Sequence, residues 1–287
     1  MKYVLAVIII FFFSSSWSQD VRPFEIYNSK GKKVKTASFL KKTTQGDIVL
    51  FGELHNNPIA HWFELILAEY LYKNGSLNMG AEMFESDQQI VLNRFLLDEI
   101  TAKEMDSLIK LWSNYDTDYR PLVEFAKDNK IPFIATNIPR KYASLVYREG
   151  LEALESDLTP EEKQLVALLP IQYDPELPGY KAMLNMFGDA AHANPNFPKA
   201  QAIKDATMAH FIYTQWIKDK VPFLHFNGEY HSKNYEGIYW YLKQLNSNLK
   251  IVTISTIEQE SIKQLKKENR SRADWIIVVD QRMTKTY

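Results

Sequence analysis

Along most of the chain, short runs of apolar residues alternate with stretches in which apolar positions return every three or four residues. The first pattern suits strands buried on both faces, and the second suits amphipathic helices packed over them. Together they predict a parallel sheet joined by helical crossovers. Strands are expected at about 47–51, 77–83, 131–137, 222–227 and 250–255, with a last candidate at 275–279. Ahead of these, Phe24 to Tyr27 and Lys33 to Thr36 flank the turn-like Asn28-Ser29-Lys30-Gly31, which predicts a small hairpin.

The helix boundaries carry their own signals. Asn57-Pro58 supplies a cap and a first-turn proline, and the helix it opens should run to Lys73, where Asn74-Gly75 ends it. Ser86 with Gln89, and Thr101 with Glu104, have the spacing of capping boxes, in which side chains satisfy the free N–H groups of a helix start. Arg120 to Asn129 reads as a short crossover helix leading into the third strand. Between Pro139 and Lys220 the strand rhythm stops and helical patterning dominates, broken by Pro170, Pro175, Pro178, Pro195 and Pro198. Residues of about 142–199 are therefore expected to form a helical insertion, joined back by a helix from about Lys199 to Lys218. The fold class is α/β: a mostly parallel sheet with crossover helices and a helical insertion subdomain, in one domain over 19–287.

The first residues follow neither rhythm. Lys2 precedes an apolar run of 10 residues, Val4 to Phe13, followed by serines that place Ser16 and Ser18 where a signal peptidase cuts. The run is half of the ~20 residues that span a bilayer as a helix. Residues 1–18 are thus expected to be an export signal, and the mature protein to be periplasmic or secreted.

Composition then narrows the chemistry. With 46% hydrophobic and 24% charged residues the chain can build an ordinary globular core. Lys+Arg 34 against Asp+Glu 35 leaves no basic excess with which to neutralise phosphates, so nucleic acid is not an expected partner. The chain has no cysteine, which excludes disulfides, thiolate zinc sites, iron–sulfur clusters, covalently attached haem and a lipid-bearing cysteine. Any metal or haem has to be held by histidine, tyrosine, carboxylate or methionine.

The strongest local feature is Gly52-Glu53-Leu54-His55, at the end of the first core strand. The second core strand ends at Glu82, the third at Asn137-Ile138-Pro139-Arg140, and the fourth at Gly228-Glu229-Tyr230-His231. In a parallel sheet all four lie on the carboxyl edge, where open α/β folds bind ligands. Two imidazoles meeting one or two carboxylates suit a divalent metal held by His55, His231 and Glu53. They equally suit metal-free acid–base chemistry by Glu53, His55, Glu82, Arg140 and His231, or a purely structural edge. His61, with Glu64 three residues on, shares a helix face but lacks the second histidine of a zinc-protease helix, and is expected to be a partly buried helix residue. His225 falls within a strand and His210 where the insertion returns to the core; both are expected to serve packing and hydrogen bonding.

A second set lies in the insertion, where Tyr173, Tyr180, Met183, Met186, Phe187 and His192 cluster near Lys181, Lys199 and Lys204. Spacing of three and four puts Tyr180, Met183 and Phe187 on one helix face, which fits either a core stripe or an apolar slot for a flat ligand. Gly-x-Ser-x-Gly, a phosphate loop, Gly-x-Gly-x-x-Gly and His-Glu-x-x-His are all absent, which disfavours common serine hydrolases and nucleotide enzymes.

Gly52-Glu53-Leu54-His55-Asn56-Asn57-Pro58, Glu82-Met83-Phe84 with Asp87-Gln88-Gln89, Asn137-Ile138-Pro139-Arg140 and Asp205-Ala206-Thr207-Met208-Ala209, taken in order, resemble the ChaN-like haem-binding family. That family is grouped with the Tiki and erythromycin-esterase-like proteins, and the resemblance runs from about Phe24 to Ser255. It implies an exported protein of haem or iron uptake, working with an outer-membrane uptake system, with haem held between the copies of a homodimer. Tyrosine ligation of the iron is what the resemblance suggests, with Tyr180, Tyr173 and His192 as candidates from the insertion. Its Tiki side implies instead a metal-dependent hydrolase built on the two Gly-x-x-His motifs. Two departures stand out: a lipid anchor on cysteine is impossible here, and many relatives have Gly-Asn-Gly-His where this chain has Asn227-Gly228-Glu229-Tyr230-His231.

Overall fold

The structure, a computed structural model, describes residues 22–186 and 194–287, so the expected export signal, Phe187 and His192 lie outside the described residues. Seven strands form one sheet: β1 (Phe24–Asn28), β2 (Ile48–Glu53), β3 (Asn78–Glu85), β4 (Phe133–Asn137), β5 (Phe223–Gly228), β6 (Ile251–Gln259) and β7 (Trp275–Asp280). Their order across the sheet is β1-β7-β6-β2-β5-β3-β4, and every pairing is parallel except β1 with β7. The expected hairpin does not form. Phe24–Asn28 pairs with β7 at the far end of the chain, Tyr27 and Lys33 make only an isolated bridge, and Thr36–Thr43 is a helix.

Side-chain alternation along the strands decides what each face receives. Val49 and Phe51 of β2, Met79, Ala81 and Met83 of β3, and Leu224 and Phe226 of β5 belong to one core with Phe63 and Leu67 of the helix Pro58–Lys73. The intervening Ile48, Leu50 and Phe223 belong to the other, with Val146, Ile203, Met208, Ile212 and Leu242 from the helices Arg140–Glu149, Phe197–Asp219 and Ile238–Leu245. The result is a three-layer sandwich in which crossovers β2 to β3 and β3 to β4 cover the first face, and β4 to β5 and β5 to β6 cover the second.

Local chemistry sets the ends of these elements. Asn57 caps its helix by accepting from the N–H groups of Ile59 and Ala60, and Pro58 occupies the first turn. Thr101 and Glu104 form a reciprocal capping box. The other expected box is shifted by one residue, to Glu85 and Gln88, because its members have stronger calls on them elsewhere: Ser86 Oγ donates to the Leu165 carbonyl, and the Gln89 side chain bridges the backbone of β4 at Phe133 and Ala135. Between β4 and β5 the described chain carries helices and no strand, with Ala153–Asp157, Pro160–Lys163 and Pro178–Met183 between Arg140–Glu149 and Phe197–Asp219. No described helix is long and apolar enough to cross a membrane.

Gly80 shows how tightly the sheet is closed under the second layer. A Cβ there would stand 2.7 Å from the Phe223 ring and 2.8 Å from the Ile134 carbonyl oxygen. Because one obstacle is backbone, Gly80→Ala should lose about 1–3 kcal/mol of stability. A lowered midpoint of urea denaturation with an unchanged slope checks this.

Candidate functional site

The same alternation sends the two buried carboxylates of the carboxyl edge in opposite directions. Glu53 continues the Val49–Phe51 row toward the helix Pro58–Lys73, whereas Glu82 continues the opposite row toward the helix Phe197–Asp219. Each meets an imidazole, and each is buried.

On the first face, Glu53 Oε1 accepts from Tyr119 Oη at 2.9 Å and from His55 Nδ1 at 2.7 Å. Glu53 Oε2 lies 3.1 Å from His61 Nδ1, which is 3.0 Å from Glu64 Oε2. The other ring nitrogen of His61 faces the His55 carbonyl at 3.1 Å and Asp118 Oδ2 at 3.4 Å. Burial opposes charge on His61, but Glu64, Glu53 and Asp118 outweigh it and push the imidazole up to about 9. Burial, reinforced by the charge of Glu53, pushes Glu64 up to about 8.

On the second face, His231 stands between Glu82 and Asp205, with Nε2 3.1 Å from Glu82 Oε1 and Nδ1 2.5 Å from Asp205 Oδ1. Tyr180 Oη donates to the second oxygen of Asp205 at 2.8 Å, and the Gly228 N–H donates to Glu82 Oε2 at 2.7 Å. Burial disfavours the His231 charge, yet Glu82 and Asp205 prevail and push it up to about 10. Burial also works against ionised Glu82, but His231, His55 and the Gly228 N–H hold it well below the usual carboxylate range.

His55 joins the two halves. Its ring lies over Gly228, where a Cβ would come within 2.6 Å of Nε2 and 3.4 Å of Glu82 Oε2. Only glycine leaves room for the imidazole there. The parallel register of β2 and β5, with Glu53 beside Gly228, creates that approach. His55 is a third exposed, packs edge-on against Trp112 at 5.0 Å, and has its charge favoured by Glu53 and then Glu82 over the cost of burial.

Two clefts open above this edge. One, of about 560 Å³, is lined by His55, His231, Tyr230, Met183, Met186 and Phe197. The other, of about 710 Å³, is lined by Trp112, Arg140, Tyr147, Arg148, Lys204 and again Phe197. The edge thus brings Glu53, His55, Glu82 and His231 together, but Arg140 lines only the second cleft, with its backbone N–H donating to Glu85. The set of three metal-binding side chains whose donor atoms lie within 4.8 Å of one another, among the described residues, is Glu53, His61 and Glu64 and does not include His55 or His231. Glu229 belongs to the lining of the first cleft, where it is held by an ion pair with Arg272 and a hydrogen bond from Ser255. Tyr180 is buried on Asp205, and Tyr173 is half-buried with its ring 5.8 Å from that of Tyr180. His225 is a fully buried core residue bonded to Thr136 and Asn227, and burial takes its imidazole down to about 4.

Residues 39–242 match the family described as haem-binding uptake, Tiki superfamily, ChaN. The chain belongs to that family. Among solved structures it is similar to ChaN of Campylobacter jejuni, described for cofacial haem binding, at 17% identity and a TM-score of 0.62, covering 90% of this chain and 97% of that one. A Bacillus cereus protein is similar at 12% identity and a TM-score of 0.50, covering 86% of this chain and 92% of its own. An erythromycin esterase aligns with a TM-score of 0.48 at 10% identity, covering 89% and 83% respectively. Comparison with curated proteins finds no match by sequence.

The ChaN-family chain also uses residues that its motifs alone do not single out. His61 and Glu64 were visible only as a helix pair with i, i+3 spacing, Asp205 only as the first residue of a motif with no role attached, and Tyr119, Asp118 and Tyr147 carried no local signal. His231 supplies a test of the second cluster. Its folded-state value is above the unfolded value of 6.5, so the stability it contributes is complete below pH 6.5 and is lost as pH rises through about 10. Melting temperature should therefore fall across pH 7–10, by up to about 1.4 kcal/mol of stability per pH unit from this group. Glu82→Gln, which removes a partner of His231, should flatten that slope in thermal melts across the same range.

Proposed function

We propose that this chain is an exported haem-binding protein of haem or iron uptake, which holds the macrocycle at the two clefts above the carboxyl edge. The observation that carries the reading is the pair of clefts meeting at Phe197 in a member of the haem-binding ChaN family. Phe197, Met183 and Met186 offer apolar surface for a porphyrin, and Arg140, Arg148 and Lys204 offer cations for its propionates. These residues fit the group. Haem would supply the iron; the chain would supply the slot, the charges and a side-chain donor.

Tyrosinate suits that donor role, because an anionic oxygen favours ferric iron and so favours carriage over reduction. Tyr180 would first have to release Asp205, so Tyr173 and the 44%-exposed Tyr147 of the second cleft are the ligands to test, with His192 retained from the sequence. Cofacial haems need two binding surfaces turned toward each other, which a two-fold homodimer provides. The apolar run after Lys2 supports export, and delivery to an outer-membrane haem or iron uptake system completes the role.

A second reading rests on the Glu53–His55 pair, whose buried carboxylate orients an imidazole at the floor of the first cleft. That is the base-and-orienter half of a hydrolytic site, with Glu82 and His231 beside it. Titration of the purified chain with hemin should give a saturable Soret band near one haem per chain. Tyr147→Phe or Tyr173→Phe should shift that band, and Arg148→Glu with Lys204→Glu should weaken binding roughly tenfold. Absence of saturable binding sinks the haem reading, and a band indifferent to both tyrosines sinks their assignment. For the hydrolase, assay on ester and peptide substrates should reveal a turnover that His55→Ala lowers at least about a hundredfold; turnover equal in the variant removes that reading.

A further inference from the structure

The cluster beneath His55 is short of positive charge in a way that a cation would resolve. Glu53 Oε2 and Glu64 Oε2 both face His61 Nδ1, at 3.1 and 3.0 Å. One nitrogen carries at most one proton, and the geometry of a hydrogen bond is met only toward Glu64. Glu53 Oε2 and Glu64 Oε1 are left fully buried with no hydrogen-bond partner. Buried carboxylate oxygens are normally satisfied, and two such orphans on adjoining groups are exceptional.

The outer side of the cluster is satisfied as metal ligands require. The His61 Nε2–H is directed at the His55 carbonyl, which leaves the Nδ1 lone pair turned inward between the carboxylates. Glu53 Oε1 is fixed by Tyr119 and His55, which leaves Oε2 as its free donor. Such outer partners are what orient imidazole and carboxylate toward a metal.

From this geometry we propose that Glu53, His61 and Glu64 bind one divalent transition ion of the zinc or manganese type, beneath the floor of the first cleft. Their donor atoms lie within 4.8 Å of one another, close enough to share one ion. One nitrogen and two or three carboxylate oxygens suit zinc, manganese or ferrous iron better than an all-oxygen calcium site. The ion replaces a proton on His61 Nδ1 and neutralises two buried carboxylates at once. It sits on the opposite face of the sheet from His231, so it is a different centre from one built on the two Gly-x-x-His motifs. It is also independent of haem, which is assigned to the clefts above.

The test uses the full chain, stripped with dipicolinate, loaded with zinc or manganese chloride, freed of excess metal and measured by mass spectrometry of its metal content. One ion per chain and a raised melting temperature are expected. His61→Ala and Glu64→Gln should each weaken retention at least tenfold, while His231→Gln retains the ion. Since His61→Ala could fail to fold, the nearly isosteric Glu64→Gln, checked by circular dichroism, decides the matter. No retained metal in the folded wild-type chain overturns the proposal. So does full retention in folded Glu64→Gln, or loss of the ion only in His231→Gln.

Discussion

The structure turns on the need to pair carboxylates with imidazoles where almost no water reaches them. Glu53 ends β2 and Glu82 lies near the end of β3, the two strands that flank β5, and alternation points them to opposite faces. Each buried charge costs several kcal/mol unless it is paired, and removing one partner of such a pair typically costs about 3–5 kcal/mol. The chain answers with His61 on one side and His231 on the other. His55 lies over the strand end between them, touching Glu53 directly and close to Glu82 across a bare Gly228.

This arrangement gives the edge two depths. The buried charges form a rigid floor, and the surface above it is aromatic, thioether and cationic. A ligand in either cleft meets an electrostatic field already fixed by these pairs, with Glu53, His55 and His231 reaching the lining of the first cleft and Glu82 that of the second, since reorganising them would expose unpaired charge. Phe197 belongs to both clefts, so one side chain at the start of a long helix helps shape both.

Much of this was legible in the residues. Strand positions, the helix from Pro58 to Lys73 and the convergence of four strand-end motifs followed from period and capping, because those signals are local. What escaped depends on contacts between distant segments. Nothing near Phe24 indicates that it pairs with Val279, so a nearby turn suggested a hairpin instead. His61 appeared as a helix residue because its second carboxylate comes from β2 and its third from Asp118. Tyr180 looked available as a ligand because Asp205, which occupies its hydroxyl, lies on another helix. Pattern names the elements well; it is poor at saying which polar group has already found its partner.

The pairing of β1 with β7 has a consequence for how the chain is made. Phe24–Asn28 is among the first described segments to be synthesised and Trp275–Asp280 among the last, so this seam of the sheet closes only once β7 has emerged. Until then β1 has no partner and Ile26 has no finished core to enter. β7 in turn emerges beside a ready parallel neighbour in β6. Cooperative closure of this seam therefore ties the first and last described strands into one unit, and it makes the early strand the one among them that waits longest, unpaired and open to association with other nascent chains.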